Sequence, residues 1–195
     1  MLFVNASFPA RTIQEFLAYV KANPGKTNVG VVSPLSTLGF EVLKKAGGVD
    51  AQTVPYKGSA PAVTALLSGE IHGTYDGPGT YVQLVQSGKV RALMYTSEPR
   101  LDTFPDALTP GEAGLPGYRV GYTTALWAPA GTPQPILARL SHAVAQVISM
   151  EPVQKVLREN SLQPIAMEPR QLAKVGREEV EFFMQAARAA KVMPE

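Results

Sequence analysis

The chain has 195 residues, 45% of them apolar and 17% charged, with 17 glycines and 17 prolines. That is enough for one or two domains with an apolar core joined by many tight turns. A net charge of +2, with no basic cluster longer than Lys44-Lys45, argues against nucleic acid as the main partner, and the lack of cysteine excludes disulfides, thiol nucleophiles and Cys-based metal sites.

No apolar stretch has the length of a membrane-spanning helix. The apolar start is too short for a signal peptide, and its first positive charge is Arg11. A cysteine-free chain fits an oxidising compartment and the cytosol alike.

In chain order, Leu2 to Asn5 reads as a short strand. A helix follows, opened by a capping box at Thr12 and Glu15, striped by Ile13, Phe16, Leu17 and Val20, and stopped by Pro24-Gly25. Then one unit repeats in kind. "NVGVV" is a strand and the helix after Ser33 stops at Gly47-Gly48. "AQTVPY" is a strand and the helix after Lys57 stops at Gly69. "IHGTYD" is a strand and the helix after Asp76 stops at Gly88. "KVRALMYT" is a further strand. Alternating strands and helices of this size predict βαβ units and a parallel sheet, an α/β domain over 1–98.

Beyond Ser97 the character changes. Residues 98–118 are rich in Pro and Gly and read as a connection with one short helix. "RVGYTTALWAPAG" reads as a strand. Three amphipathic helices follow. The first carries Ile136, Leu137, Leu140, Val144, Val147 and Ile148; the second Val153, Val156 and Leu157; the third Leu172, Val175, Phe182, Phe183 and Ala186. Residues 99–195 thus offer wide apolar helix faces and little sheet to cover.

In a parallel sheet, ligands bind outside the C-terminal strand ends. Here three strand-to-helix turns put Ser33, Ser36 and Thr37, then Tyr56, Lys57, Gly58 and Ser59, then Asp76, Gly77 and Gly79 on that edge. Hydroxyls, one lysine and three helix N-termini suit a small anion, and a carboxylate accepts several such donors at once. The glycines would let backbone approach a ligand closely. Asp76 would repel an anion directly, and is expected to hold a water, a ligand amine or hydroxyl, or nearby helix amides. Each residue has a plain alternative. The hydroxyls serve as helix caps, Lys57 is a solvated turn residue, Asp76 caps its own turn, and Tyr56 belongs to the core.

Catalysis finds little support. The two histidines, His72 and His142, read as structural and are not spaced as a metal pair, and neither a nucleophile elbow nor a phosphate-binding P-loop is present. No cofactor and no metal site are expected.

Three stretches carry a family resemblance: "VPYKGSAPAVTALLSGEIHGTYDGPG", "GKVRALMYTSEPRLDTFPDALTPGEAGLPGY" and "APAGTP". In this order, and over essentially the whole chain, the sequence resembles the Bug-type, TctC-like substrate-binding receptors of tripartite tricarboxylate transporters. The resemblance implies a type II periplasmic-binding-protein fold, a two-lobed Venus flytrap. It implies a periplasmic, non-enzymatic receptor that binds a small carboxylate and delivers it to a membrane permease. It also implies that the turns at Ser33–Thr37, Tyr56–Ser59 and Asp76 face the ligand. Family members are longer, so 1–98 is expected to be the complete second lobe. Residues 99–195 would be the crossover and the segment that completes a first lobe most of which is absent. Where the family carries an aromatic before "APAGTP", this chain has Thr123; its tryptophan is Trp127. The alternative expectation is an interaction module, in which the uncovered C-terminal helices form a homo-oligomer or pair with a separate first lobe.

Overall fold

The computed structural model describes residues 1–96, 100, 102–121, 123–160 and 162–190. Five strands are formed: β1 (Leu2–Asn5), β2 (Asn28–Val31), β3 (Gln52–Pro55), β4 (Gly73–Tyr75) and β5 (Val90–Met94). The helices are α1 (Ile13–Ala22), α2 (Pro34–Gly47), α3 (Ser59–Ser68), α4 (Val82–Gln86), α5 (Gln134–Ser149), α6 (Glu151–Glu159) and α7 (Pro169–Ala190), with a 3-10 turn at Gly79–Tyr81 ahead of α4. By backbone contacts the chain divides into two compact units, Met1–Gly121 with Ala186–Glu195, and Tyr122–Gln185. The boundary expected between residues 98 and 99 lies outside the described residues.

The sheet of the first unit has the order β3-β2-β4-β1-β5. β2 runs parallel to both β3 and β4, as the repeating units predict. The sheet is nevertheless mixed, because β1 inserts antiparallel to both β4 and β5. Its composition explains the central position. Leu2, Phe3 and Val4 are all fully buried, so the strand is apolar on both faces and gains most with layers on each side.

The helices form where their end signals dictate. Thr12 Oγ1 accepts the Glu15 N–H at 3.2 Å, and Glu15 Oε2 accepts the Arg11 N–H at 2.6 Å, one residue upstream of a standard capping box. Ile13, Phe16, Leu17 and Val20 are buried on one stripe of α1. Gly48 and Gly69 end α2 and α3 in the left-handed conformation.

Two polar devices fix the loops. The Arg91 guanidinium, on β5, donates to the carbonyls of Ala10 at 2.7 Å, Ala6 at 3.2 Å and Phe8 at 3.4 Å, which holds the connection from β1 to α1. The hydroxyl of Tyr75, on β4, meets that of Tyr118, in the connection after β5, at 2.7 Å, and Tyr118 donates on to the Gly39 carbonyl in α2 at 3.0 Å. Burial pushes both phenols up. Gly39 is glycine for a steric reason, since a Cβ there would lie 2.6 Å from the Tyr75 hydroxyl.

Two expectations for the connection fail. Residues 102–118 form turns rather than a helix, and no strand forms among the described residues of 119–131. The latter sequence has strand-like composition but no ladder to join; Val120 alone donates to the sheet side, to Thr96 O at 2.7 Å. The second unit is helical. None of its described residues is buried, and all the exposed large apolar side chains among the described residues, Leu67 excepted, lie between Leu126 and Met184. Trp127 lies over Gly176 of α7, and Thr123 donates to Glu179 at 2.6 Å. No helix among the described residues is long and apolar enough to cross a membrane.

In the first unit Arg100 pairs with Glu112, which also accepts the Thr109 N–H at 2.9 Å. The guanidinium first, and the backbone amide second, hold the Glu112 carboxyl down at about 2. A depressed carboxylate adds stability that is present above its unfolded-state value of about 4.3 and is lost as pH falls toward its folded value. Glu112→Gln is therefore expected to lower the denaturation midpoint at neutral pH. The difference from the parent chain should shrink as pH is taken from about 5 to about 2. Parallel urea titrations across that range check it.

Candidate functional site

The register settles where the three turns lie. Val31 of β2 stands opposite Pro55 of β3 and Tyr75 of β4, so the three strands end in one row. With strands about 4.8 Å apart, the turns after them span roughly 10 Å of a single edge. The structure thus brings the three turns to one edge, with the side chain of Tyr56 the exception, and it gives them different amounts of free hydrogen-bonding capacity.

After β2 the hydroxyls are committed internally. Ser33 Oγ accepts the Ser36 N–H at 3.1 Å. Ser36 Oγ accepts the N–H groups of Val32 and Ser33, both at 2.8 Å, and donates to Ser33 O at 2.9 Å. Thr37 Oγ1 donates to Ser33 O at 3.0 Å. Pro34 at the first helical position has no N–H to offer. Ser36 is buried, and its oxygen satisfies two backbone donors that would otherwise be orphaned.

After β3 the picture reverses. Tyr56 continues the ladder through its N–H to Val31 O at 2.8 Å, but its side chain folds back along the sheet. The ring lies 3.3 Å from where a Cβ on Gly30 would stand, and packs on the cluster of Phe3, Leu66 and Ile71. Its hydroxyl donates to Glu70 Oε1 at 3.0 Å, in the loop that leads into β4 at the opposite edge. Desolvation, then the Glu70 bond, raises this phenol. What remains at the edge is Lys57, Gly58 and Ser59. Gly58 has φ +98° and open space around it, a conformation that glycine alone adopts freely. No side chain caps α3, and with Pro61 lacking an N–H the amides of its first turn point outward at Ser59 and Ala60. Lys57 is exposed and has no ion pair among the described residues.

After β4 the Asp76 carboxylate is turned inward. Oδ1 accepts the Gly77 N–H at 2.6 Å and Oδ2 accepts the Tyr81 hydroxyl at 3.2 Å. Gly77 is exposed, with open space where a Cβ would stand. Tyr81 was not among the sequence candidates. Only its spacing, five residues past the acid in the same turn, offered a hint.

The histidines stand elsewhere. His72 Nδ1 accepts the Asn28 N–H at 3.0 Å near the opposite edge, its ring against Phe8, and His142 is exposed on α5. Among the described residues no group of three or more acidic or histidine side chains could hold a metal ion.

A mixed sheet with helices following its parallel strands, and with one turn that leaves Lys57 beside an uncapped helix start, has the fold seen in periplasmic solute-binding proteins. Solved relatives bear this out. The chain superposes with a TM-score of 0.82 and 30% identity on the periplasmic binding protein BugD, covering 100% of this chain and 66% of that one. A structure from R. palustris with adipate gives 0.81 and 30%, over 98% of this chain and 64% of the other. MatC from Rhodopseudomonas palustris with bound malate gives 0.72 and 32%, over 95% and 65%. The profile described as "Tripartite tricarboxylate transporter family receptor", TctC, matches residues 1–187, and the chain belongs to that family. Among curated relatives, the "UPF0065 protein in gbd 5'region" of Cupriavidus necator is 34% identical over 181 residues, 92% of this chain and 55% of the relative. The chain spans about half the length of the curated relatives it matches.

The internal use of Ser36 yields a separable expectation. Ser36→Ala should destabilise the fold by about 1–3 kcal/mol, because it removes the hydrogen bonds of two part-buried amides, those of Val32 and Ser33. It should alter ligand affinity only through that loss. Chemical denaturation alongside binding at saturating fold stability distinguishes the two effects.

Proposed function

We propose that the chain is a solute-binding receptor for a small organic anion, a carboxylate, which it delivers from the periplasmic side to a membrane permease of the tripartite tricarboxylate type. The observation that carries this reading is the match to the receptor family over residues 1–187 of a chain whose sheet edge holds, beside an uncapped helix start, a lysine with no ion pair among the described residues. The adipate and malate of the two related structures are both dicarboxylates, which supports the choice of ligand class. In this reading one carboxylate group accepts from the Ser59 and Ala60 amides at the positive end of α3, with Lys57 supplying charge and the Ser59 hydroxyl a further donor. Gly58 and Gly77 leave room for the ligand to approach the backbone. Ser33, Ser36 and Thr37 shape the neighbouring wall. Binding, and not turnover, is the chemistry such a donor set supports.

Thermal unfolding against a panel of small carboxylates, adipate and malate included, tests this. An acid present at about a hundredfold its dissociation constant should add roughly 2.7 kcal/mol of stability. Lys57→Ala should weaken the binding about tenfold or more, the effect of losing one hydrogen bond to a charged group. A panel without any shift, or a Lys57→Ala chain that binds as the parent does, would count against the assignment.

A second reading has its own observation. The described residues of the second unit include no buried side chain, and Trp127 and Leu126 are 70% and 80% exposed. Apolar faces of this extent mark an interaction surface, which favours an interaction module that forms a homo-oligomer or pairs with a separate first lobe. Sedimentation over a wide concentration range is expected to show self-association of the isolated chain; a monomer throughout would remove the homo-oligomer.

A further inference from the structure

The three turns at the ends of β2, β3 and β4 carry one cation, Lys57, and one acid, Asp76. An anion drawn to the first would have the second on the same edge, two strand spacings or roughly 10 Å along, and the second carboxylate of a dicarboxylate could come nearer still, so an outward-facing acid there would oppose it. The structure shows how the acid is kept out of the way. Its two oxygens are held by the Gly77 N–H and the Tyr81 hydroxyl, and the residue is only 7% exposed. Tyr81 is itself fully buried. Its ring lies face to face with Phe3 of β1, centroids 4.2 Å apart and planes 11° from parallel. The donor therefore comes from a ring with little freedom to turn away.

We propose that Tyr81 is a positioning residue that sets the charge preference of the edge: its hydroxyl holds the Asp76 carboxylate back beneath the third turn, so that an anionic ligand meets Lys57 and helix amides without an opposing carboxylate. The proposal rests on the carboxylate-receptor reading of that edge. Its physical basis is the cost of a buried charge that lacks donors. Without the hydroxyl, Asp76 would keep one hydrogen bond and would regain solvation by turning outward, and outward here is the ligand edge. Burial raises the Tyr81 phenol, so it remains a proton donor throughout the ordinary pH range.

The test is carbodiimide labelling of carboxylates with an amine, read by mass spectrometry, on the parent chain, Tyr81→Phe and the double variant Tyr81→Phe/Asp76→Asn. Phenylalanine keeps the ring stack and removes only the hydroxyl. Glu41, bonded to Lys44 at 2.7 Å and to Thr53 at 2.6 Å, reports on the integrity of the fold. Asp76 should label slowly in the parent and about tenfold faster in Tyr81→Phe, the factor expected for one lost charge-assisted hydrogen bond, with Glu41 unchanged. Equal labelling of Asp76 in the two proteins overturns the proposal. So does labelling of Asp76 in the parent as fast as that of exposed Glu168, a comparison that needs no variant. In titrations with the dicarboxylates of the panel above, Tyr81→Phe should bind about fivefold more weakly at low salt, and Asp76→Asn should restore the affinity in the double variant. A loss that Asp76→Asn leaves uncorrected overturns the proposal. A parent chain that binds no acid defeats the receptor reading instead, and the labelling contrast still decides what Tyr81 does.

Discussion

The first unit depends on the burial of one short strand on both faces. β1 has only four residues, yet Leu2, Phe3 and Val4 are fully excluded from water and pair with β4 on one side and β5 on the other. Without it the sheet would end at β4, and β5 would have nothing to pair with. Its middle side chain reaches further. Phe3 supports Tyr81 by stacking and meets Phe104 edge-on at 5.7 Å, so the same residue packs both the third turn and the connection that follows β5. A strand whose position is set by the hydrophobic effect thereby fixes the geometry of polar groups at the edge.

The edge itself is a study in which donors are already spent. Three neighbouring turns start from equivalent positions on parallel strands, and each begins a helical segment. In the first, Ser33 and Ser36 satisfy each other and the local backbone. In the third, Asp76 accepts the Gly77 N–H and the Tyr81 hydroxyl within its own turn. In the second, the capping position is a glycine with no side chain to offer, so the positive end of α3 remains available beside Lys57. The hydroxyls of the first turn and the acid of the third are engaged within their own turns, whereas the turn after β3 leaves the start of α3 without a side-chain cap beside Lys57. That allocation follows from small differences in side chain at positions that look alike in pattern.

Much of this was legible in the sequence. Thr12 with Glu15, the glycines after each helix and the alternation of strand and helix located most elements of the first unit, and the strand ends placed three turns on one edge. Local signals are legible because they act within a few residues. The failures were all of non-local origin. The direction of β1 is decided by partners some seventy and ninety residues away. Residues 119–131 have the composition of a strand, but a strand exists only with a neighbour. Tyr56 looked like part of the edge because of its neighbours in sequence, whereas Gly30 and Glu70 draw it back along the sheet. Tyr81 was not singled out because its stacking on Phe3 joins residues far apart in the sequence. The apolar stripes of α5, α6 and α7 could be read from the sequence, and several of their large side chains, Ile136, Leu140, Val156 and Val180 among them, are exposed.

Arg91 illustrates how such a fold can tolerate change. Its guanidinium is satisfied by three backbone carbonyls, those of Ala6, Phe8 and Ala10, and the planar fork of donors reaches them together in a way that a lysine point charge does not reproduce. Because the hold is on the main chain, it is indifferent to which side chains the loop carries. The exposed positions of the loop, Ser7 and Pro9, are therefore free to drift during divergence while the path of the loop, and the angle at which α1 meets the sheet, stays inherited. The constraint is concentrated in one residue of β5, so a single position there records an obligation that the loop's own sequence does not reveal.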